Sequence, residues 1–344
     1  MAWADITQCR FHFGRPYANV IPKDQIDQID YVSSWAGSKE TYNLGTMMKA
    51  CKPGGALAGK TPVLYSYIIA FTLRNSFGLL DCDVGTPNLC QQGAERLRDG
   101  AVKAKILSVY ANYAQGAAAD FGTDLPVVWL MEPDFYQYAQ PGSQSGNPLS
   151  FSEAAALMNE LMDTVKKSLP NAIFSLDISP WTTDQGQTSK YYTSFNLSRF
   201  TFMHTSGGQA RPSGSPGSAA ITNNKMTYKE IHDLTGKPIL ADCGYGVGGA
   251  SQGHVSAWDE PGNINNRIQD GVVGINQANP KTDWGATLSA NRSQLQAPGQ
   301  CLTSFIRRGK PGHVKITVKP TQAWDFLGRV YDPSEKSRRP ILLK

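Results

Sequence analysis

The sequence is poor in charge, and it lacks the motifs that hold phosphates or metals. Only 18% of its residues are charged, below the usual quarter, so the surface reads as polar rather than ionic. No Gly-rich loop opens a helix after the first strand candidate, which argues against a nucleotide-dependent enzyme. No cysteine sits in a C-x-x-C pair, and neither His12 nor His204 has a second ligand at metal-binding spacing. No metal and no cofactor are therefore expected. No apolar run is long enough to span a bilayer, so no membrane partner is expected. The net charge of +5 is concentrated towards the C-terminus, with no basic stripe interleaved with aromatics. Nucleic acid is therefore not an expected partner.

What the chain has in quantity is turn chemistry. It carries 33 glycines and 21 prolines, with abundant Ser, Asn and Thr. A chain of 344 residues buries a sizeable core. The six cysteines, an even number in a loop-rich chain, favour disulfides and an oxidising compartment. Sequons at Asn196 and Asn291 agree with that. The opening MAWADITQ has neither a charged n-region nor an apolar h-region. The expectation is a mature secreted monomer with an added initiator Met.

Short apolar runs alternate with helical patterns. The strand candidates are Arg10–Gly14, Pro62–Phe71, Val127–Met131, Ile173–Ile178, Phe200–Thr205, Pro238–Ala241 and Gly271–Asn276. The helix candidates are Gln91–Ala114, Ser150–Ser168 with Ser150 or Ser152 as N-cap, and Thr227–Thr235 stopped by Gly236. The alternation predicts an α/β fold with a parallel sheet, closed or open. A basic segment after Gly309, with HVKITV as a short strand, is expected as an appendage. The division is a barrel over 1–310 and an appendage packed on it over 311–344.

Several strand candidates finish on an acid. PVVWLMEPD delivers Glu132 and Asp134, IFSLDISPW delivers Asp177, and PILADCGYG delivers Asp242. The loop after the last strand candidate carries Lys281 and Asp283, and LLDCD carries Asp81 and Asp83. Trp129, Tyr136, Tyr138, Trp181, His204 and Trp284 accompany them. One such acid is as often a helix cap or turn former. A ring of acids at strand ends is where a parallel barrel builds its active site. Neighbouring carboxylates raise one another's pKa, and aromatic faces stack on sugars, so the pattern points to glycoside hydrolysis.

The run M-E-P-D-F resembles the strand-end E-P-D motif of glycoside hydrolase family 6, the inverting cellulases. PYANVIP, LLDCD, SLDISPW, LADCGYGVGG and NPKTDWG resemble further segments of that family in the same order. The resemblance implies a distorted (β/α) TIM-like barrel of about seven parallel strands, acting on cellulose and cello-oligosaccharides. It implies Asp134 as general acid, Asp81 as the neighbour that keeps it protonated, and Asp283 as the base. It places Tyr17, Asp177, Trp181 and Lys281 at the sugar, and Glu132, His204, Asp242 and Trp284 are expected to line the substrate site. Departures are Leu80 where the family has Arg, and Ser179-Pro180 where it has His. For the cysteines, Cys82 with Cys90 is one possibility. Cys243 with Cys301 would resemble the family's second bridge, leaving Cys9 with Cys51. Two other readings stand: a retaining barrel with Glu132 as acid/base and Asp242 or Asp177 as nucleophile, and a non-catalytic glycan-binding barrel.

Overall fold

The computed structural model describes residues 9–300 apart from 53, 124–125, 143, 183, 207–209, 220–225 and 244–252, together with 323–324 and 330–331. Eight parallel strands close into one barrel in chain order. They are β1 His12–Pro16, β2 Tyr31–Ala36, β3 Thr61–Ser66, β4 Val127–Met131, β5 Ala172–Ile178, β6 Phe202–Thr205, β7 Ile239–Cys243 and β8 Val272–Gln277. Closure comes from β1 pairing with β8, His12 opposite Gly274 and Gly14 opposite Asn276. The α/β barrel is as expected, but it has eight strands rather than about seven. The strand not foreseen is β2, YVSSWA. Its two serines dilute the apolar run, and Ser33 points at another barrel residue, donating to Asn276 Oδ1 at 3.0 Å.

Helices surround the strands. They are α1 Lys23–Gln28, α2 Gly45–Cys51, α3 Ile68–Phe77, α4 Leu89–Arg98, α5 Gly100–Phe121, α6 Phe151–Ser168, α7 Gln185–Thr193, α8 Tyr228–Thr235, α9 Pro261–Gln269 and α10 Trp284–Asn291. Ser150, not Ser152, caps α6, in a capping box with Glu153. Gly236 adopts φ +65° after α8, the left-handed stop that favours glycine. The expected single helix Gln91–Ala114 is two. Asp99 accepts from the backbone N–H of Ala101 and Val102, so a new helix starts at Gly100.

The strand candidate Pro62–Phe71 likewise divides, with β3 ending at Ser66 and α3 beginning at Ile68. A continuous apolar run does not reveal where strand gives way to helix. Here the boundary is fixed from outside the segment, by Glu132.

The barrel interior is filled by Tyr31, Val63, Tyr65, Val128, Leu130 and Phe202 among others, with Trp35 packed on top. A Cβ on Gly14 would stand 2.0 Å from the Tyr31 ring, so β1 must be bare where that ring lies. At the opposite end from the strand termini, Asp30 ties the barrel together. It takes the guanidinium of Arg10, the backbone N–H of Phe13 at 2.9 Å and Arg292 at 3.4 Å.

Cys82 and Cys90 are bridged. Cys51 and Cys243 are buried thiols, which removes the pairings Cys9–Cys51 and Cys243–Cys301. Cys243 instead donates to Gln277 Oε1 at 3.0 Å. Most of the expected appendage, HVKITV included, lies outside the described residues. Within it, Ala323–Trp324 pairs antiparallel with Val330–Tyr331. No helix among the described residues is long and apolar enough to cross a membrane.

Candidate active site

The site starts where β4 ends. Met131 closes the strand, and Glu132-Pro133-Asp134 turns sharply, with φ +43° at Glu132 and +62° at Asp134. Among the described residues no other non-glycine has positive φ. Left-handed backbone is costly for L side chains and gathers at functional turns.

The two acids of this turn part company. Glu132 is fully buried. Its Oε1 accepts from the backbone N–H groups of Ile68 and Ile69 at 3.1 and 3.0 Å, and from the Tyr110 hydroxyl at 2.5 Å. It thus caps α3 from a neighbouring strand, meeting orphan donors and the positive end of the helix dipole. Burial pushes its carboxyl up to about 8, with Tyr110 and the two backbone donors working against the rise.

Asp134 is half-buried and turned towards other polar groups. Its Oδ1 accepts from the Trp181 indole N–H at 3.1 Å, and its backbone N–H donates to Asp177 Oδ2 at 3.0 Å. Burial raises its carboxyl to about 6. The Trp181 bond opposes the rise, and the charges of Asp81 and Asp83 add to it. Asp177 is buried on β5, and burial followed by the Asp134 charge pushes it well above the usual carboxylate range. His204 on β6 lies 3.5 Å from Asp177 Oδ1 through Nε2, while its Nδ1 meets Ser175 Oγ at 2.8 Å. Burial lowers this imidazole to about 3, so it is neutral. Two carboxyls and a neutral imidazole therefore share one desolvated patch that retains a proton near neutral pH.

Asp81 stands on the loop after α3, closed by the Cys82–Cys90 bridge and paired with Arg74 at 3.0 Å. The guanidinium beside Asp81 thus comes from Arg74 on α3. Among the described residues no cluster of His, Cys, Asp and Glu is arranged to hold a metal.

No family model matches the sequence, and neither does any curated protein. Solved structures do resemble the chain. A β-mannanase from a symbiotic protist of the termite Reticulitermes speratus is 11% identical, over 85% of this chain and 91% of that one, with a TM-score of 0.47. The YdhT protein of Bacillus subtilis is 15% identical, over 84% and 87%, with a TM-score of 0.46. Thermotoga maritima Cel5A, solved with cellobiose, is 10% identical, over 82% and 98%, with a TM-score of 0.45. At these identities and scores the likeness says nothing about chemistry.

The remaining expected site residues lie in three other places. Asp242 is buried on β7, where Asn276 donates to it at 2.9 Å and its own N–H donates to Thr205 Oγ1 at 2.7 Å. Trp284 is buried, and its indole donates to Asp259 Oδ1 at 3.0 Å. Lys281 is exposed and reaches Ser256 Oγ at 2.8 Å; Asp283 is exposed at the start of α10. No described contact joins this last group to Asp134. β4 and β8 lie on opposite sides of the closed ring, so the loop that carries Asp283 leaves the barrel across the ring from the turn that carries Asp134. Tyr17 is half-buried beyond β1, its N–H bonded to Ser33 O at 2.8 Å.

Sequence reading missed Trp35, Tyr65 and Tyr67. Tyr65 stacks on Trp35, and Tyr67 lies near enough to Asp134 and Asp81 for their charges to add to the burial that raises its phenol. Their signal was a tryptophan two residues before Gly37 in an unread strand, and tyrosines hidden in one apolar run.

Proposed function

We propose that this protein is a secreted glycoside hydrolase acting on a β-1,4-glucan by single displacement, a distant relative of the family 6 cellulases with Asp134 as general acid. The observation that carries the reading is the Asp134 carboxyl. It sits half-buried at the mouth of the barrel, is oriented by Trp181, and keeps its proton up to about pH 6. A general acid needs that combination of access, orientation and raised pKa. Asp134 protonates the glycosidic oxygen. A water attacks the anomeric carbon from the other face, and Asp283, on the loop across the ring, takes its proton directly or through a second water.

The retaining alternative finds less support. Glu132 is sealed and its oxygens are occupied by the α3 donors, so it cannot reach a leaving group. Asp177 is buried and its carboxyl is pushed well above the usual carboxylate range, which disfavours the ionised form that a nucleophile needs. The bridged Cys82–Cys90 loop agrees with an oxidising compartment.

Proton NMR of the products formed from a soluble cello-oligosaccharide tests the mechanism. An initial α-anomer is expected, and an initial β-anomer refutes single displacement. Asp134→Ala should lower turnover by roughly 10²–10⁴-fold while the protein stays folded. Binding to cellulose without release of reducing sugar would instead mark a glycan-binding barrel.

A further inference from the structure

The end of the barrel opposite the mouth carries a turn that the proposed reaction does not use. It joins α7 to β6, so it lies where the strands begin, away from the strand ends that deliver Asp134 and Asp177. Its sequence is Phe195-Asn196-Leu197-Ser198-Arg199-Phe200. Phe195 and Phe200 are buried, and their rings meet edge-on with centroids 6.4 Å apart. Arg199 holds the turn to α6 through Asn159 Oδ1 at 2.9 Å and Asp163 Oδ1 at 2.5 Å. Between these anchors the chain makes one short turn that leaves Asn196 and Ser198 exposed.

Asn196 and Ser198 belong to one of the two N-x-S sequons of the chain. Asn196 Oδ1 accepts from the backbone N–H of Ser198 at 3.2 Å and from its hydroxyl at 2.6 Å. The amide oxygen is thus taken up within the turn. Among the described residues nothing accepts from the amide nitrogen, which is left to solvent. The second sequon, Asn291-Arg292-Ser293, is built the other way. Asn291 is the half-buried last residue of α10, and its Nδ2 donates to the backbone oxygen of Asp259 at 2.5 Å. That nitrogen is turned inward, onto the segment that precedes α9. A sequon marks an acceptor amide, and a glycan is bulky enough to need a surface position. Whether the chain is modified before or after it folds, the folded barrel accommodates a glycan only where the modified nitrogen reaches solvent.

We propose that Asn196 is the N-glycosylation site of this protein and that Asn291 stays unmodified. The group transferred is an oligosaccharide carried on a polyisoprenyl diphosphate. Its anomeric C1 gains a bond to Asn196 Nδ2 as its bond to the diphosphate oxygen breaks. The diphosphate leaves with the electron pair, the amide nitrogen gives up one proton, and nothing is oxidised or reduced. Standing at the base of the barrel, the glycan leaves the mouth clear. The inference rests on the secreted part of the proposed function, through its oxidising compartment, and not on the hydrolase reading.

The test is peptide mapping of the full chain secreted from a eukaryotic host. Peptide-N-glycosidase in heavy-oxygen water turns a glycosylated Asn into a labelled Asp and leaves a bare Asn alone. Mass spectrometry of the tryptic peptides 191–199 and 282–292 then reads both sequons. The label is expected on Asn196 and not on Asn291, with Ser198→Ala removing it and Asn291→Gln leaving it in place. Alkylation with and without reductant reads the Cys82–Cys90 bridge in the same sample. If that pair is bridged and peptide 191–199 carries no label, the glycan site falls and the oxidising compartment stands. If the pair is free and Asn196 is unlabelled, both fall. A label on Asn291, alone or beside Asn196, refutes the structural choice between the two sequons, and the wild-type chain alone gives that result.

Discussion

Replacing Asp134 by Asn should cost activity and add stability, and the gain in stability should depend on pH in a set direction. Burial, with Asp81 and Asp83 nearby, lifts the carboxyl from 3.8 to about 6. A group whose folded pKa is raised contributes stability that is fully present below its unfolded value and is lost as pH rises through the folded one. The rise is about two pH units, and at about 1.4 kcal/mol per unit it corresponds to about 3 kcal/mol. That figure is an upper bound, because Asp134 keeps part of its surface in water. Asparagine keeps the acceptor for the Trp181 indole and never ionises. Its advantage over the wild type should therefore grow by up to about 3 kcal/mol between pH 3.5 and pH 8. Losing the charge also makes Asp177 easier to ionise, which acts in the same direction. Urea unfolding of both proteins at the two pH values measures it. An advantage that is equal at both, or larger at acid pH, would refute the account of a desolvated carboxyl. The same titration governs catalysis: kcat/KM should fall about tenfold per pH unit above about 6 as the acid loses its proton.

Glu132→Ala should lower stability by about 3 kcal/mol or more, because it strands the N–H groups of Ile68 and Ile69 and the Tyr110 hydroxyl. Glu132→Gln keeps an acceptor and should retain most of the activity. Thermal midpoints and rates settle it, and a stable but inactive Glu132→Gln would restore that residue as acid/base. At the other end of the barrel, burial alone would raise the Asp30 carboxyl, but His12, Arg292 and Arg10 more than offset it and hold it well below its usual range. Its contribution is therefore present above about pH 4 and lost as pH falls. Asp30→Asn should cost about 3–5 kcal/mol at pH 7 and flatten the acid limb of the stability profile, as denaturant titrations at pH 3 and 7 would show.

The parts of the fold legible in the sequence were those whose signals are local. Val127–Met131 is a continuous apolar run, and Ala172–Ile178 is broken only by Ser175 and Asp177, which suits strands covered on both faces. Thr227 with Glu230 and Gly236 marks both ends of a helix within a few residues. What was missed depends on distant partners. The β3–α3 boundary is set by a carboxylate some 65 residues on. Ser33 is an interior residue because Asn276 meets it, 243 positions away in sequence. In the site, acids at strand ends announced Asp134 and Asp177. The aromatic side did not announce itself, since Tyr65 and Tyr67 are indistinguishable by pattern from core residues.

The Glu-Pro-Asp turn shows how one short motif does two jobs. Val128 and Leu130 face the barrel interior, so regular alternation would carry Glu132 inward as well. The left-handed backbone at Glu132 breaks that alternation and sends its carboxyl to the start of α3 instead. A second left-handed residue at Asp134 turns the chain again and holds its carboxyl against Trp181. Two unfavourable backbone conformations, separated by a proline that restricts the residue before it, cost on the order of 1–3 kcal/mol each. The α3 cap offsets part of that cost by satisfying three donors with a single carboxylate. Glu132 thereby fixes the geometry of the turn, which leaves Asp134 raised, oriented and open to the mouth.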